Sequence, residues 1–189
     1  MKNIFSLFLL FFILCECEFK EKEKESFNND INSLYAVIEI PAGTNIKYEY
    51  NYDSQSFDVD VVNGQKRIIN YLPYPGNYGF IENTFMDPSL GGDGDALDVL
   101  VICESLNQSK KIKIDPIGII KLLDDGEEDH KIIAIPNNDQ ESFMSDSIPE
   151  SVKIILKTWF SNYKGFGEMQ FISWGDKKEA LKEIKKWHL

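Results

Sequence analysis

Cysteine is scarce in this chain: of three in 189 residues, Cys15 and Cys17 sit near the N-terminus and Cys103 stands alone in the remainder. That excludes a disulfide framework and any thiolate metal site in the main body. Cys103 ends an apolar run over 97–103 and reads as a buried, inert thiol. Basic charge is also in short supply. Twenty Lys and Arg stand against 31 Asp and Glu, a net charge of −11, so the basic patch of a general nucleic-acid binder is not expected. The deficit leaves room for an anionic substrate, because bound divalent cations invert local charge. No apolar run is long enough for a membrane-spanning helix; the stretch 4–14 has 11 residues. No internal repeat is visible.

The N-terminus differs in character from the remainder of the chain. Lys2, the apolar stretch 4–14 and then Cys15 and Cys17 suit a signal-peptide-like segment over 1–17. Export, as a periplasmic protein or a lipoprotein anchored through one of these cysteines, is the expectation; a cytoplasmic protein is the alternative. Leu14 and Glu16, which precede the two cysteines, are not the small residues that lipidation favours. Residues 18–33, EFKEKEKESFNNDINS, have almost no apolar content and read as a charged linker. The folded domain is expected over 34–189. Apolar residues make up 43% of the chain and aromatics 13%, enough for one ordinary core.

Within the domain, alternation and β-branched content predict strands over 35–40, 46–52, 57–62, 97–102, 112–122 and 131–135. Asn63-Gly64 is a turn signal. Ser147-Ile-Pro-Glu150 reads as a capping box before Val152, Ile155, Leu156, Trp159, Phe160 and Tyr163 at helical spacing. Asp176 and Glu179 repeat the signal before Ala180, Leu181, Ile184 and Trp187. Many strands followed by late helices predict an α+β fold or a β-barrel with attached helices.

The most informative segment is Gly91-Gly-Asp93-Gly-Asp95-Ala-Leu-Asp98, which runs into an apolar strand. Glycines let the backbone turn tightly between three carboxylates. Carboxylate oxygens are hard ligands suited to Mg²⁺ or Mn²⁺, and charges so crowded repel without a cation. A calcium EF-hand loop is a poor fit, because Asp98 stands where that loop needs glycine and a strand fills its second half. Three weaker features accompany it. Asp124-Asp-Gly-Glu-Glu-Asp129, followed by His130 and Lys131, would by itself be a charged hairpin. Tyr74-Pro-Gly-Asn-Tyr78-Gly-Phe would be an aromatic turn, and Tyr163-Lys164-Gly a helix C-cap. Together they supply carboxylates for several metals and Tyr or Lys groups for phosphate oxygens.

As a set, IEIPAGTNIKYEY, YPGNYGFI, DGDALDVLV, DDGEEDHK and NYKG resemble the soluble family I inorganic pyrophosphatases, from about Tyr35 to Trp187. The resemblance implies a twisted five-stranded OB-type β-barrel with flanking helices, an α+β fold, and Mg²⁺-dependent hydrolysis of pyrophosphate using several ions per site. It implies that Asp93, Asp98 and Asp129 hold the high-affinity metals, that Asp124 and Asp129 hold one arriving with substrate, and that Glu49 holds a further one. Asp95 corresponds to the acceptor of the attacking water's proton. Lys47, Lys131, Tyr78, Tyr163 and Lys164 correspond to groups that hold the phosphates, with Glu39 and Tyr74 lining the site. The family's phosphate-binding Arg corresponds to Lys66 or Arg67, and the bidentate guanidinium favours Arg67. The segment between Glu49 and this point is several residues longer than in compact bacterial members. Relatives of this kind imply a homo-oligomer, a hexamer in bacteria. Two other readings stand beside this one: a hydrolase of another phosphoanhydride, and an inactive cation-binding module. The second would lack a ligand or a base, and none of Asp93, Asp95, Asp98, Asp124 and Asp129 is missing.

Overall fold

The structure is a computed structural model that describes residues 33–51, 53–137, 144 and 147–189. The signal-peptide-like and linker segments expected at the N-terminus lie outside the described residues. Leu34–Leu189 forms one compact unit.

Five strands pair in a ring. β1 (Tyr35–Ile40) runs antiparallel to β6 (Asn77–Ile81), which pairs antiparallel with β7 (Asp98–Val101). β7 lies parallel to β10 (Lys131–Pro136), and β10 pairs antiparallel with the long β8 (Lys111–Asp124). The start of β8 returns to β1, with Tyr35 opposite Lys113. The far half of β8 also carries β11 (Met169–Asp176) and the short β9 (Glu127–Glu128). Two small ribbons stand apart from this sheet: β2 (Tyr48–Asn51) with β3 (Ser56–Val59), and β4 (Val61–Val62) with β5 (Gln65–Lys66). The second turns on Asn63-Gly64, both with positive φ, as the sequence predicts.

Burial follows from the patterning. β1 alternates, with Ala36, Ile38 and Ile40 fully buried, while β10 is buried along nearly its whole length. Two apolar clusters fill the unit. One joins Leu100, Ile120 and Ile133 to the helix α1 (Glu150–Phe160) through Leu156, Trp159 and Phe160. The other joins Ile38, Val99 and Ile132 to α2 (Lys177–Trp187) through Ala180, Ile184 and Trp187.

Two local expectations change. α2 is capped as predicted, by Asp176 Oδ1 accepting from the Glu179 N–H at 2.9 Å. The capping box at Ser147 does not form: α1 begins after Pro149, with no side-chain cap. Ile148 precedes a proline and is therefore disfavoured in the helical region, so the helix cannot start at Ser147. Four strands that the sequence reading omits are present: β6 within the tyrosine motif, β11 after the NYKG segment, and the two-residue β5 and β9.

Candidate active site

The acidic loop hangs between β6 and β7. A single 3₁₀ turn, Pro88–Leu90, is capped by Asp87, and Gly91 and Gly94 then take left-handed φ of 87° and 88°. The Asp95 N–H donates to Asp93 Oδ1 at 2.9 Å, which folds the two carboxylates onto one short turn. Asp98 follows as the first residue of β7. Val99, Leu100 and Val101 are all buried, and Asp98 is left half-buried at the strand mouth.

Around that mouth lies a cavity of about 320 Å³. Seven carboxylates line it, from Glu39, Glu49, Asp93, Asp95, Asp98, Asp124 and Asp129, against the three ammonium groups of Lys47, Lys131 and Lys164. Tyr48, Tyr50, Tyr74, Tyr78 and Tyr163 complete most of the rest. The contributors come from β1, the first ribbon, β6, β7, the ends of β8 and β10, and the turn after α1. Residues separated by more than a hundred positions thus share one space.

The cations hold the carboxylates in place. Lys131, almost fully buried, bridges Asp98 and Asp129. Burial opposes its charge, but the two carboxylates outweigh that and hold its pKa above the usual lysine value. The Tyr78 hydroxyl donates to Asp98 as well. Lys164 pairs with Asp124, and Lys47 with Glu49 at 2.6 Å. Among the described residues, no three acidic, His or Cys side chains are already gathered closely enough to hold an ion. The lysines occupy that role, each drawing one or two carboxylates to itself.

Proton affinities follow the crowding. Desolvation, then the charges of Asp93, Asp98 and Glu49, raises the Asp95 pKa. Burial, then Asp98, pushes Glu39 up to about 8, against a bond from the Tyr50 N–H that lowers it. Burial raises Tyr74, Tyr78 and Tyr163 too, so these hydroxyls stay protonated and remain donors.

Of the residues singled out from the sequence, all but Arg67 and its alternative Lys66 line the cavity. The Arg67 guanidinium is held by Asp60 Oδ2 at 3.0 Å, and the same oxygen lies 3.8 Å from Lys47 Nζ. Its backbone N–H bonds Asp60 O and its carbonyl accepts from the Lys47 N–H, so Arg67 sits at the base of the β4–β5 ribbon, beside Lys47. Lys66 lies on β5 and is exposed. Asp60 is missed by the sequence reading: a strand over 57–62 would place it on the same face as Asp58, yet it is half-buried where Asp58 is exposed. Tyr48, Tyr50 and Phe80 are missed as well, and no spacing signal marks them.

An oxygen-only donor set in excess over its cations, rimmed by lysines and protonated tyrosines, defines a hydrolase that handles phosphate anions. The comparison with known proteins narrows this. The family model described as Inorganic pyrophosphatase matches residues 36–189. An inorganic pyrophosphatase of Saccharolobus solfataricus is 37% identical over 164 residues, covering 82% of this chain and 90% of its own. One from Aquifex pyrophilus is 34% identical over 167 residues, covering 84% and 89%. The crystal structure of an inorganic pyrophosphatase from Neisseria gonorrhoeae superposes with a TM-score of 0.71 at 32% identity, covering 84% and 90%. The chain belongs to the inorganic pyrophosphatase family and is an inorganic diphosphatase. The match begins two residues after Leu34, so residues 1–35 lie outside it.

Proposed function

We propose that this enzyme hydrolyses pyrophosphate to two orthophosphates with Mg²⁺, using Asp95 as general base. The observation that carries the reading is the gathering of seven carboxylates, three lysines and protonated tyrosines around one cavity of about 320 Å³. The donor set fits a hard divalent cation, being all oxygen and in excess of positive charge. Asp93, Asp98 and Asp129 would hold the tighter ions, with Asp124 and Glu49 as further ligands. Bound there, Mg²⁺ supplies neutralisation of the substrate and lowers the pKa of a coordinated water.

The chain's own groups supply the remainder. Desolvation, then the charges of Asp93, Asp98 and Glu49, favours Asp95 taking a proton. A new P–O bond forms from the water oxygen, the bridging P–O bond breaks, and the water's proton passes to Asp95. The departing phosphate keeps the electron pair. Lys47, Lys164 and Arg67 stabilise that charge, while the hydroxyls of Tyr78 and Tyr163 donate to phosphate oxygens. Lys131 bridges Asp98 and Asp129 and would also hold a phosphate oxygen.

The strand ring of β1, β6, β7, β10 and β8 reads as the five-stranded OB-type barrel that the family resemblance implies. The same resemblance supports a homohexamer. The apolar N-terminal segment supports export, which membrane fractionation of the full-length protein tests: a wholly cytosolic, unprocessed protein rules it out.

The deciding experiment measures phosphate release from pyrophosphate, tripolyphosphate and ATP, each with Mg²⁺. Pyrophosphate should be the preferred substrate, Ca²⁺ should inhibit, and full turnover in excess chelator would sink the mechanism. Preference for either of the other two anhydrides would move the enzyme to a different substrate class.

A further inference from the structure

Trp159 does not line the cavity, yet it touches two of the side chains that do. Its ring stacks on that of Tyr163, nearly parallel at 9° with centroids 4.6 Å apart. It also meets the Tyr74 ring at 4.7 Å and 48°. The indole N–H donates to the Leu72 carbonyl at 2.8 Å, two residues before Tyr74. The tryptophan is buried and fixed from a third side by an edge-on contact with Phe160.

Tyr163 needs such a support. It lies beyond the end of α1, tied to the helix by its backbone N–H to Trp159 O and by ring contacts, edge-on to Phe160 at 6.1 Å and flat against Trp159. It lines the cavity beside Lys131, Asp129, Asp98 and Asp124. Lys164 follows directly, with Nζ 5.9 Å from the Tyr163 ring centre. Whatever sets the plane of Tyr163 therefore also limits where Lys164 can go. The helix provides this by presenting one flat face at the residue four positions before Tyr163.

We propose that Trp159 is a positioning residue for pyrophosphate: it fixes the Tyr163 ring, and the YPGNY segment through Leu72, so that two tyrosine hydroxyls meet phosphate oxygens in one geometry. The inference rests on the function proposed above. A residue that orients binding groups equally in ground and transition states changes KM and spares kcat.

The test compares Trp159→Leu, which removes the stacking face, with Trp159→Phe, which keeps a ring but loses the N–H. Trp159→Leu should raise KM for Mg²⁺-pyrophosphate about tenfold, with kcat within about threefold, since displacement of a binding group by an ångström can cost up to 10²-fold. Trp159→Phe should recover most of that loss. A second readout does not depend on Trp159→Leu folding. Tryptophan emission of the wild type should change when inorganic phosphate and Mg²⁺ are added. The change should vanish in Trp159→Phe and persist in Trp174→Phe and Trp187→Phe. Unchanged KM in a folded Trp159→Leu, or a phosphate-linked emission change that survives in Trp159→Phe, overturns the proposal. Wild-type protein that releases no phosphate from pyrophosphate would instead sink the functional reading.

Discussion

The cavity has two walls built on different physical principles. One is the strand ring: Tyr78, Asp98 and Lys131 stand on β6, β7 and β10, whose neighbours are buried and paired on both sides. The other is made of ribbons outside that sheet, with Lys47 and Glu49 on β2 and Arg67 at the base of β4–β5. A side chain on the first wall is fixed by the whole core. One on the second is fixed by a turn, a few backbone bonds and ion pairs such as Arg67–Asp60. Of the carboxylates proposed as the tighter metal ligands, Asp98 stands on the rigid wall and Asp129 two residues before β10, while Asp93 lies on the acidic loop. Cations read as meeting a substrate that comes and goes include those on the looser one. The two walls are thus expected to differ in local stability, which is distributed unevenly through a fold.

The rigid wall should break hardest. At Gly79 on β6, an added Cβ would lie 1.9 Å from the Val37 carbonyl oxygen of β1. Backbone on both sides of that contact is paired, with Gly79 opposite Ile38, so neither strand can move alone. Gly79→Ala should cost roughly 4 kcal/mol or more, the size reserved for forced overpacking. Chemical denaturation measures it; a loss below about 1 kcal/mol would show that the ring yields more easily than its pairing suggests.

Next in size is Asp95 against Asp98. Asp95→Asn keeps the shape but cannot accept a proton, so kcat should fall roughly 10²–10⁴-fold, and excess Mg²⁺ should not restore it. Asp98→Asn removes a ligand charge. Its loss should appear as a raised Mg²⁺ requirement, on the order of 10–100-fold, a range found even for outer partners of metal ligands, and high Mg²⁺ should recover part of the activity. Metal titrations of both variants decide the matter, and rescue of Asp95→Asn alone would mean that the roles are exchanged.

How much of this could be read beforehand also divides along the two walls. The acidic loop was legible because glycines and carboxylates crowd into eight residues, and Gly91 and Gly94 do take the left-handed conformations such a turn needs. β6 was not legible, because Pro75, Gly76 and Asn77 are turn residues and mask a strand that begins at the last of them. Asn77 belongs there for a tertiary reason. Its buried amide accepts from the N–H groups of Ala42 and Leu106 and donates to the carbonyls of Val101 and Glu104. β11 was hidden because residues 169–176 alternate poorly, their pattern answering both to β8 and to α2. Nor could spacing show Lys131 between Asp98 and Asp129, a pairing that joins two strand ends 33 residues apart. On the ribbon wall, the choice between Lys66 and Arg67 turned on a single residue of register. Neither lines the cavity: Lys66 is exposed on β5, and Arg67 is bonded to Asp60 beside Lys47.

A smaller effect should come from Arg67 itself. Arg67→Ala removes a charge-assisted donor near Lys47, and kcat/KM should drop on the order of 10–100-fold, matching the usual worth of such a bond. Arg67→Lys should recover little, since an ammonium cannot present two parallel donors. Thermal stability should hardly move, because a part-exposed pair such as Arg67–Asp60 contributes at most about 1 kcal/mol. Unchanged kinetics with a lowered melting temperature would mean that Arg67 only ties down the ribbon.

The smallest effect should come from the tip of that ribbon. Gly64 has φ of 75° and open space around it, with nothing within 4 Å of an added Cβ. Gly64→Ala therefore meets no clash, in contrast to Gly79→Ala, and its whole cost is the left-handed backbone, about 1–2 kcal/mol. That cost falls on a two-stranded sheet that, among the described residues, pairs with no other strand. The ribbon can open without the strand ring, so the global transition should stay within about 1 kcal/mol of wild type. Hydrogen exchange at the amides of residues 61–66 should speed up instead, by roughly 5–30-fold for a cost of that size. Activity should fall less than Arg67→Ala lowers it, because the bond from the Arg67 N–H to Asp60 O lies at the ribbon's base and not at its tip. If Gly64→Ala instead lowers the global stability as far as Gly79→Ala does, the ribbon is part of the same cooperative unit as the ring. The two walls would then differ in exposure but not in rigidity.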